Sequence, residues 1–546
     1  MAKISNSSRQ VGLPIWLAIA LAVGIIIGVF LINPRTVSKN SSSAIAKFRE
    51  VLSNIDRSYV DTVNSDELVD VAITNMLEEL DPHTVYVTAD QIELANMSLK
   101  GGYDGIGVQF DIVRDTIVVV KPTPDGPSDR AGVRAGDKIV MVEGENVAGI
   151  DINTKGVTDR LLGRRGTDVK ISVIHYGEKE IVELTITRGK IGQNTVVASY
   201  MVNRDIGYIK LVSFGSRSHD EFKEALADLK EQGMKKLIFD LQGNGGGYMR
   251  AAEDIADELI GGDAILVSQK GKVEQYNNVV RAKNTGLFED EAIIVLIDEY
   301  SASASEIVAG ALQDNDRALI VGRRSYGKGL VQMPIDLVDG SELRLTIARY
   351  YTPSGRSIQK PYVRGQGMEY AYDLINRYEH GEFYHEDSIQ FDDSLKFITP
   401  KGRVVYGGGG IMPDHFVPYD STMNSNYFNS LINQRAIREL TLIYYLDHKQ
   451  ELENYTLEKF TQEFMIGKNI TNNLVRIGAE LGLTYNEEQF MESYDHMVAY
   501  IKAEIARSVW DDPGFYPIYN EVSNTSYKKA LTLFDEAQAL LVGSNQ

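Results

Sequence analysis

A chain of 546 residues, 43% of them hydrophobic, has room for roughly three or four domains with sizeable cores. Its 76 acidic residues against 56 basic ones give a formal charge of −20, which argues against nucleic acid or anionic lipid as a partner. Cysteine is absent, so disulfides, thiolate catalysis and Cys-ligated metals are excluded.

Residues 13–32, LPIWLAIALAVGIIIGVFLI, are uncharged and mostly apolar, long enough to cross a hydrocarbon core as one helix and longer than the apolar part of a removable signal peptide. The expectation is a single-pass, uncleaved transmembrane anchor in the cytoplasmic (inner) membrane, flanked by a short cytoplasmic stub and a linker over 1–41. Lys3 and Arg9 before the span are matched by Arg35 and Lys39 after it, so charge gives little orientation. The short stub facing the cytoplasm is the simpler arrangement, leaving the remainder on the periplasmic or extracytoplasmic side.

After the Ser-rich stretch 38–43, residues 42–98 read as short helices, with Ile45, Phe48, Val51, Leu52 and Ile55 at helical spacing. LDPHT, Leu80 to Thr84, breaks them. His83 has no second histidine at metal-ligand spacing and reads as structural or capping. Over 99–190 the texture changes to short alternating strands with glycine turns: GIGVQF, DTIVVV, DKIVMV and DVKISVIHY, with GPSDRAGVRAGD as a short helix and turn. That order resembles a PDZ domain, with Gly105–Phe110 in place of its carboxylate-binding loop. Gly105 and Gly107 would let backbone N–H groups converge on a chain-terminal carboxylate, with Ile106, Val108 and Phe110 as an apolar face and the strand edge free to add a peptide.

From 191 to 420 strand, small-residue loop and helix repeat. KKLIFDL runs into QGNGGG and then MRAAEDIADELI; AIIVLI runs into DEYSAS and then EIVAGALQD; RALIVG follows. Such a pattern predicts a parallel-leaning α/β layer with its ligand loops at the strand carboxyl ends. Residues 361–406, rich in Tyr, Glu and Asp without clear period, read as a surface insertion, and 421–546 as a helical carboxy-terminal domain.

Three loops carry candidate chemistry. GRRSYGKG, Gly322 to Gly329, has Gly329 where a phosphate loop needs Ser or Thr, and the strand-like LVQMPIDL follows where that loop would open a helix. DLQGNGGG, Asp240 to Gly247, fails the dinucleotide spacing but offers backbone N–H groups suited to an oxyanion. In SASASEI, Ser303 and Glu306 fit a capping box, which leaves unexplained why three serines alternate with alanines. No histidine stands in a triad context. A desolvated lysine can replace it as base, at a cost of about 4 kcal/mol to bring an ammonium from about 10.4 to near 7. Lys328, between two glycines and followed by Leu330 and Val331, has an apolar setting for this, and Gln332 could fix the amine's direction.

Taken together, LDPHTVYV, GIGVQF, AGVRAGDKI, DLQGNGGG, SASASEIVAGALQD, GRRSYGKGLVQ, RYYTPSGRSIQKP and GGGGIMPD resemble, in order, the carboxy-terminal processing peptidases, also called tail-specific proteases. The resemblance implies a crotonase-like (ClpP/crotonase) α/β protease core with an inserted PDZ domain, and a serine endopeptidase that recognises substrate tails. It implies Ser303 as nucleophile, Lys328 as base, Gln332 as its support, and the Gly247 and Ala304 amides as oxyanion donors. No metal or cofactor is needed. The partners expected are protein or peptide substrates held by their terminal carboxylate, with the membrane through the amino-terminal helix and a homo-oligomer left open. Gln242 stands where the family has an arginine, and Gly245 where a proline is common. The rival reading is a non-catalytic PDZ-type peptide-binding scaffold.

Overall fold

The computed structural model describes residues 39–97, 99–390 and 392–542. The apolar run 13–32 lies outside them; among the described residues no helix is long and apolar enough to cross a membrane. The chain divides into two compact units, the first reaching to Met76 and the second from Leu77 on. In the first, helix Lys39–Ser58 is followed by most of helix Ser65–Glu78. The expected Ser-rich linker is therefore helical from Lys39. Once a helix is nucleated, each added residue contributes one hydrogen bond, which carries it back through the serines.

In the second unit a six-stranded sheet runs in the order Val196–Met201, Ile206–Leu211, Lys236–Asp240, Ala292–Ile297, Leu319–Gly322, His415–Phe416. Its first pair is antiparallel and the others are parallel. AIIVLI is apolar throughout because both faces are covered, and every residue in it is buried. On one face Leu237, Phe239, Ile293, Val295 and Ile297 pack with the helices Ser218–Glu231, Met249–Asp257 and Ala304–Asp314. On the other, Ile238, Ile294, Leu296 and Val321 pack with Tyr527, Ala530 and Phe534 from the last two helices, Thr525–Leu531 and Phe534–Val542. The carboxy-terminal segment thus falls into two parts: a helical cluster centred on Leu431, Leu474, Ile501 and Ile505, and a final pair of helices that completes the α/β body.

A second, five-stranded sheet is antiparallel. Glu342–Tyr351 pairs with Val85–Val87, Ile265–Gly271 and Leu330–Asp336, and Asn278–Arg281 extends it. Pro334 is accommodated because its strand pairs on one side only. The PDZ-like region is a separate sheet in the order Val108–Val113, Thr116–Pro122, Lys138–Val142, Asp168–Ile174, Ile181–Thr187, with helix Thr154–Leu161 over it. Val108–Val113 is an edge strand.

The 361–406 stretch differs from a featureless surface insertion. It contains helix Gly367–Glu379, and Tyr370 and Arg377 on that helix are buried. Their polar tips find partners on the loops described next, which is why a segment without hydrophobic period is nonetheless ordered.

Candidate active site

Strands Lys236–Asp240 and Ala292–Ile297 are parallel neighbours in register, Asp240 opposite Leu296, so the loops after them open at the same edge of the sheet. Asn244 sews the two together. Its carbonyl accepts from Ala302 N–H at 3.0 Å and from Ser305 Oγ at 2.8 Å, while its side chain binds Leu211 O and Gly246 N–H. Ser301 Oγ donates to Leu241 O at 2.8 Å. Two of the three alternating serines are therefore hydrogen-bonded braces, and the middle one is left half-buried at the start of helix Ala304–Asp314.

Ser303 has φ 55° and ψ −110°, a conformation that a residue with a side chain occupies at a cost of about 1–3 kcal/mol. Three contacts hold it there. Its N–H donates to Glu306 Oε2 at 2.8 Å, its carbonyl lies 3.1 Å from buried Tyr350 Oη, and Gly246 sits against it so closely that a Cβ on that glycine would stand 2.9 Å from Ser303 Cβ. Ala304 N–H is the first of the helix and has no intrahelical acceptor. On the facing loop, Gly246 O and Tyr248 N–H bond to Phe214 on either side of Gly247, leaving the Gly247 N–H out of that bridge. Of the two amides picked out from the sequence, that of Ala304 follows Ser303 directly and that of Gly247 follows the Gly246 packed against Ser303.

Glu306 does more than cap its helix. Fully buried, it takes Ser303 N–H and Lys328 N–H on Oε2, each at 2.8 Å, and Ser325 Oγ and Gly327 N–H on Oε1 at 2.5 and 2.7 Å. One carboxylate oxygen therefore ties the main chain of Ser303 to that of Lys328. Burial pushes Glu306 up to about 7 against the pull of these four donors. Tyr350 Oη repeats the tie, lying within hydrogen-bond distance of the Ser303 and Lys328 carbonyls.

Burial holds Lys328 below the usual lysine range, with Glu306 opposing and Arg344 assisting. Its Nζ donates to Gln332 Oε1 at 2.8 Å. Gln332 is oriented in turn by the carbonyl of His83, which accepts from its Nε2. LDPHT thus belongs to this site. Asp81 fixes the turn by accepting from the N–H groups of His83 and Thr84, both at 2.9 Å, and His83 Nε2 meets Tyr370 Oη at 2.8 Å. Burial first, then the Lys328 charge, lowers His83 to about 4, so its ring is neutral. From the 361–406 stretch, Arg377 donates to the carbonyls of Ser325 and Arg324 at 3.1 and 2.7 Å and pairs with Glu382, bracing the loop that carries Lys328.

Sequence reasoning missed Glu306 as a hub, the His83 carbonyl and this brace. The S-x-x-E spacing was a signal for the first; nothing in the local sequence marked the others. Gln242, where an arginine was expected, has no charge to give, and buried Lys210 instead reaches Asp240 Oδ1 at 2.9 Å and the Gln242 carbonyl. The Gln242 side chain accepts from Asn524 Nδ2 at 3.0 Å.

The PDZ-like loop is apart from these groups in sequence and sheet. Gly105 and Ile106 are buried, and Gly107 has φ 74°. The Ile106 side chain lies in the core of its own domain at 2% exposure, so it is not part of an exposed apolar face beside the loop; the half-buried positions of the strand begin at Val108. Val108 and Phe110 line a cleft of about 640 Å³ whose opposite wall is helical.

Comparison with known proteins gives a consistent result. Profiles of Peptidase family S41 match residues 205–366, of the PDZ domain 105–186, of the activating protease CtpB N-terminal domain 32–91, and of a family of unknown function, DUF8443, 427–511. A carboxy-terminal-processing protease of Bartonella bacilliformis is 36% identical over 327 residues, covering 59% of this chain and 74% of its own. The carboxy-terminal processing protease CtpB of Bacillus subtilis is 30% identical over 335 residues, covering 60% and 68%. Among solved structures, a photosystem II D1 C-terminal processing protease matches 57% of this chain and 89% of its own at 30% identity, with a TM-score of 0.33.

Proposed function

Since this chain belongs to Peptidase family S41 and is a serine-type endopeptidase of the carboxy-terminal processing kind, we propose that Ser303 and Lys328 are its catalytic pair, on a crotonase-like core. Ser303 Oγ attacks the scissile carbonyl while neutral Lys328 Nζ takes its proton, and the Gly247 and Ala304 N–H groups receive the charge that develops on the carbonyl oxygen. Collapse of the tetrahedral species breaks the C–N bond, Lys328 returns the proton to the leaving amine, and water then hydrolyses the acyl-enzyme. Gln332 and the His83 carbonyl hold the amine's direction.

The observation that carries this reading is the shared carboxylate oxygen of Glu306, which fixes Ser303 to Lys328 beside an amine that burial disfavours as ammonium. Ser303→Ala and Lys328→Ala should each abolish cleavage of a peptide substrate with the far-UV spectrum and melting temperature unchanged. Full activity in either variant would refute the assignment, and tail binding without turnover in the wild type would favour the scaffold instead.

Substrates on this reading are proteins or peptides presented by their carboxyl termini, taken as an added strand on Val108–Val113 with the terminal carboxylate at Gly105–Gly107. The apolar run 13–32 supports a single-pass anchor, with the catalytic part outside the cytoplasmic membrane. A reporter fused after residue 40 that works only in the cytoplasm should be silent.

A further inference from the structure

The residues on either side of Lys328 are tied to a second segment. Gly327 O accepts from Lys360 N–H at 3.0 Å, and Gly329 N–H donates to Gln359 Oε1 at 2.8 Å. Gln359 and Lys360 also line a cavity of about 380 Å³, which Arg364 from the 361–406 stretch and Arg349 from strand Glu342–Tyr351 complete. Arg349 stands opposite Leu330, two residues before Gln332. Alternate residues of a strand share a face, and so do residues paired across two strands. Arg349 is therefore on the same face of the sheet as Gln332, whose Oε1 accepts from the Lys328 amine. The cavity lies on the side where that amine is held.

Its cations differ in what they already hold. Lys360 Nζ pairs with Asp373 Oδ2 at 2.8 Å and lies 4.0 and 4.1 Å from the ring centres of Tyr326 and Tyr370. Arg349 and Arg364 are exposed, and neither guanidinium makes an ion pair or hydrogen bond with a described residue. Across the sheet Arg349 has Leu330 on one side and Lys270 on the other, so no carboxylate faces it in register. Of the carboxylates in this neighbourhood, Asp373 is held by Lys360, and Glu79, which stands by Gly365, pairs with neither arginine. Among the described residues no acidic one lines the cavity. A guanidinium offers five donors in a planar fork that fits a carboxylate through two parallel bonds.

We propose that this cavity is a substrate subsite, in which Arg349 and Arg364 take the side-chain carboxylate of an aspartate or glutamate close to the scissile bond. The proposal rests on the reading of Ser303 and Lys328 as the catalytic pair. On that reading the substrate's terminal carboxylate is at Gly105–Gly107, which leaves a side chain as the source of the carboxylate here. The distance follows from strand geometry. Lys328 to Leu330 is two residues, about 7 Å when extended, and a paired strand lies about 5 Å further, so the Arg349 main chain is within about 12 Å of that of Lys328. A substrate at about 3.3 Å per residue covers this in about four residues or fewer. The enzyme thereby reads its substrate twice, at the tail end and at an acidic residue near the cut.

The test uses the full chain and internally quenched peptides that share one carboxyl-terminal tail. Glutamate or glutamine is placed in turn at each of the four positions on either side of the cleaved bond, which is located by mass spectrometry, and casein serves as the general substrate. At one or two adjacent positions glutamate should raise kcat/KM about three- to tenfold over glutamine, and this ratio should shrink in high salt. Arg349→Gln with Arg364→Gln should bring the ratio to about one. Arg349→Glu with Arg364→Glu should turn it below one, with lysine at the same position now preferred to glutamine. A ratio of one at every position, or a ratio that survives the double substitution, overturns the subsite, while the catalytic reading stands if casein is cut by the wild type and not by Ser303→Ala. An equal loss on both peptides with the ratio unchanged assigns the arginines to support of the loop and also overturns the subsite. Casein cut by Ser303→Ala, or by neither protein, overturns the catalytic pair and the subsite with it.

Discussion

Replacing Glu306 by glutamine isolates what its carboxylate does. The amide keeps its shape but one oxygen becomes an NH2. With the remaining oxygen on the Ser303 and Lys328 N–H groups, the NH2 faces Ser325 Oγ, which can turn to accept, and Gly327 N–H, which cannot. One orphaned buried N–H costs about 1–3 kcal/mol. The opposite orientation orphans both Ser303 and Lys328 and is disfavoured, so the fold and the Ser303 to Lys328 tie survive. The charge has a separate effect. Above pH 7, where Glu306 is ionised, it raises the Lys328 pKa against the lowering by burial. Removing that charge leaves burial, with Arg344 assisting, to hold Lys328 down less opposed. Glu306→Gln should therefore lower the melting temperature and move the acid limb of the kcat/KM profile to lower pH, even as the maximum rate falls. An acid limb that stays in place, or moves up, would refute Lys328 as the titrating base beside this carboxylate.

Three further outcomes are expected. Gly246→Ala places a Cβ within 2.7 Å of Ala302 O and 2.9 Å of Ala304 N at φ 99°, so it should displace the loop bearing the proposed oxyanion donor Gly247 and cut kcat by more than about a hundredfold with KM little changed; a near-wild-type kcat would mean that the loop is not held against Ser303. Burial lowers His83 from 6.5 to about 4, so as pH falls the unfolded chain binds the proton first: the stability it contributes is complete above 6.5 and drains away between 6.5 and 4, by about 3 kcal/mol. His83→Asn should flatten the melting temperature against pH across that window, and an unchanged slope would contradict a buried neutral ring. Asp314 and Arg356 form an ion pair with both side chains at 0% exposure, 2.7 Å apart; Asp314→Ala leaves the guanidinium unpaired and should cost about 3–5 kcal/mol in urea unfolding, against less than 1 if the pair were solvated.

Legibility in the sequence followed the range of the interactions. Strands such as AIIVLI and the glycine-punctuated PDZ-like strands were readable because burial on two faces or one imprints a local pattern. Ser303 and Lys328 were found because their loops carry compositional marks, small residues in one and flanking glycines in the other. Helix Thr154–Leu161, with apolar Val157 and Leu161 only, has too short a stripe to stand out. The His83 carbonyl, the Arg377 brace and the Asn524 contact to Gln242 join residues 249, 52 or 53, and 282 positions apart, and no window of sequence contains both partners. The membership of 525–542 in the α/β body was hidden for a related reason. Its apolar residues fit a bundle as well as a sheet, and only the uncovered face of strands made some 300 residues earlier decides between them.

That late covering bears on when the enzyme is dangerous to its maker. Tyr527, Ala530 and Phe534 leave the ribosome after every strand they cover, and until they do the back of the central sheet is bare. At about 5–20 residues per second the loops bearing Ser303 and Lys328 are exposed roughly ten seconds or more before the closing helices arrive. A chain not yet made as far as those helices therefore carries both loops on a sheet with one face uncovered.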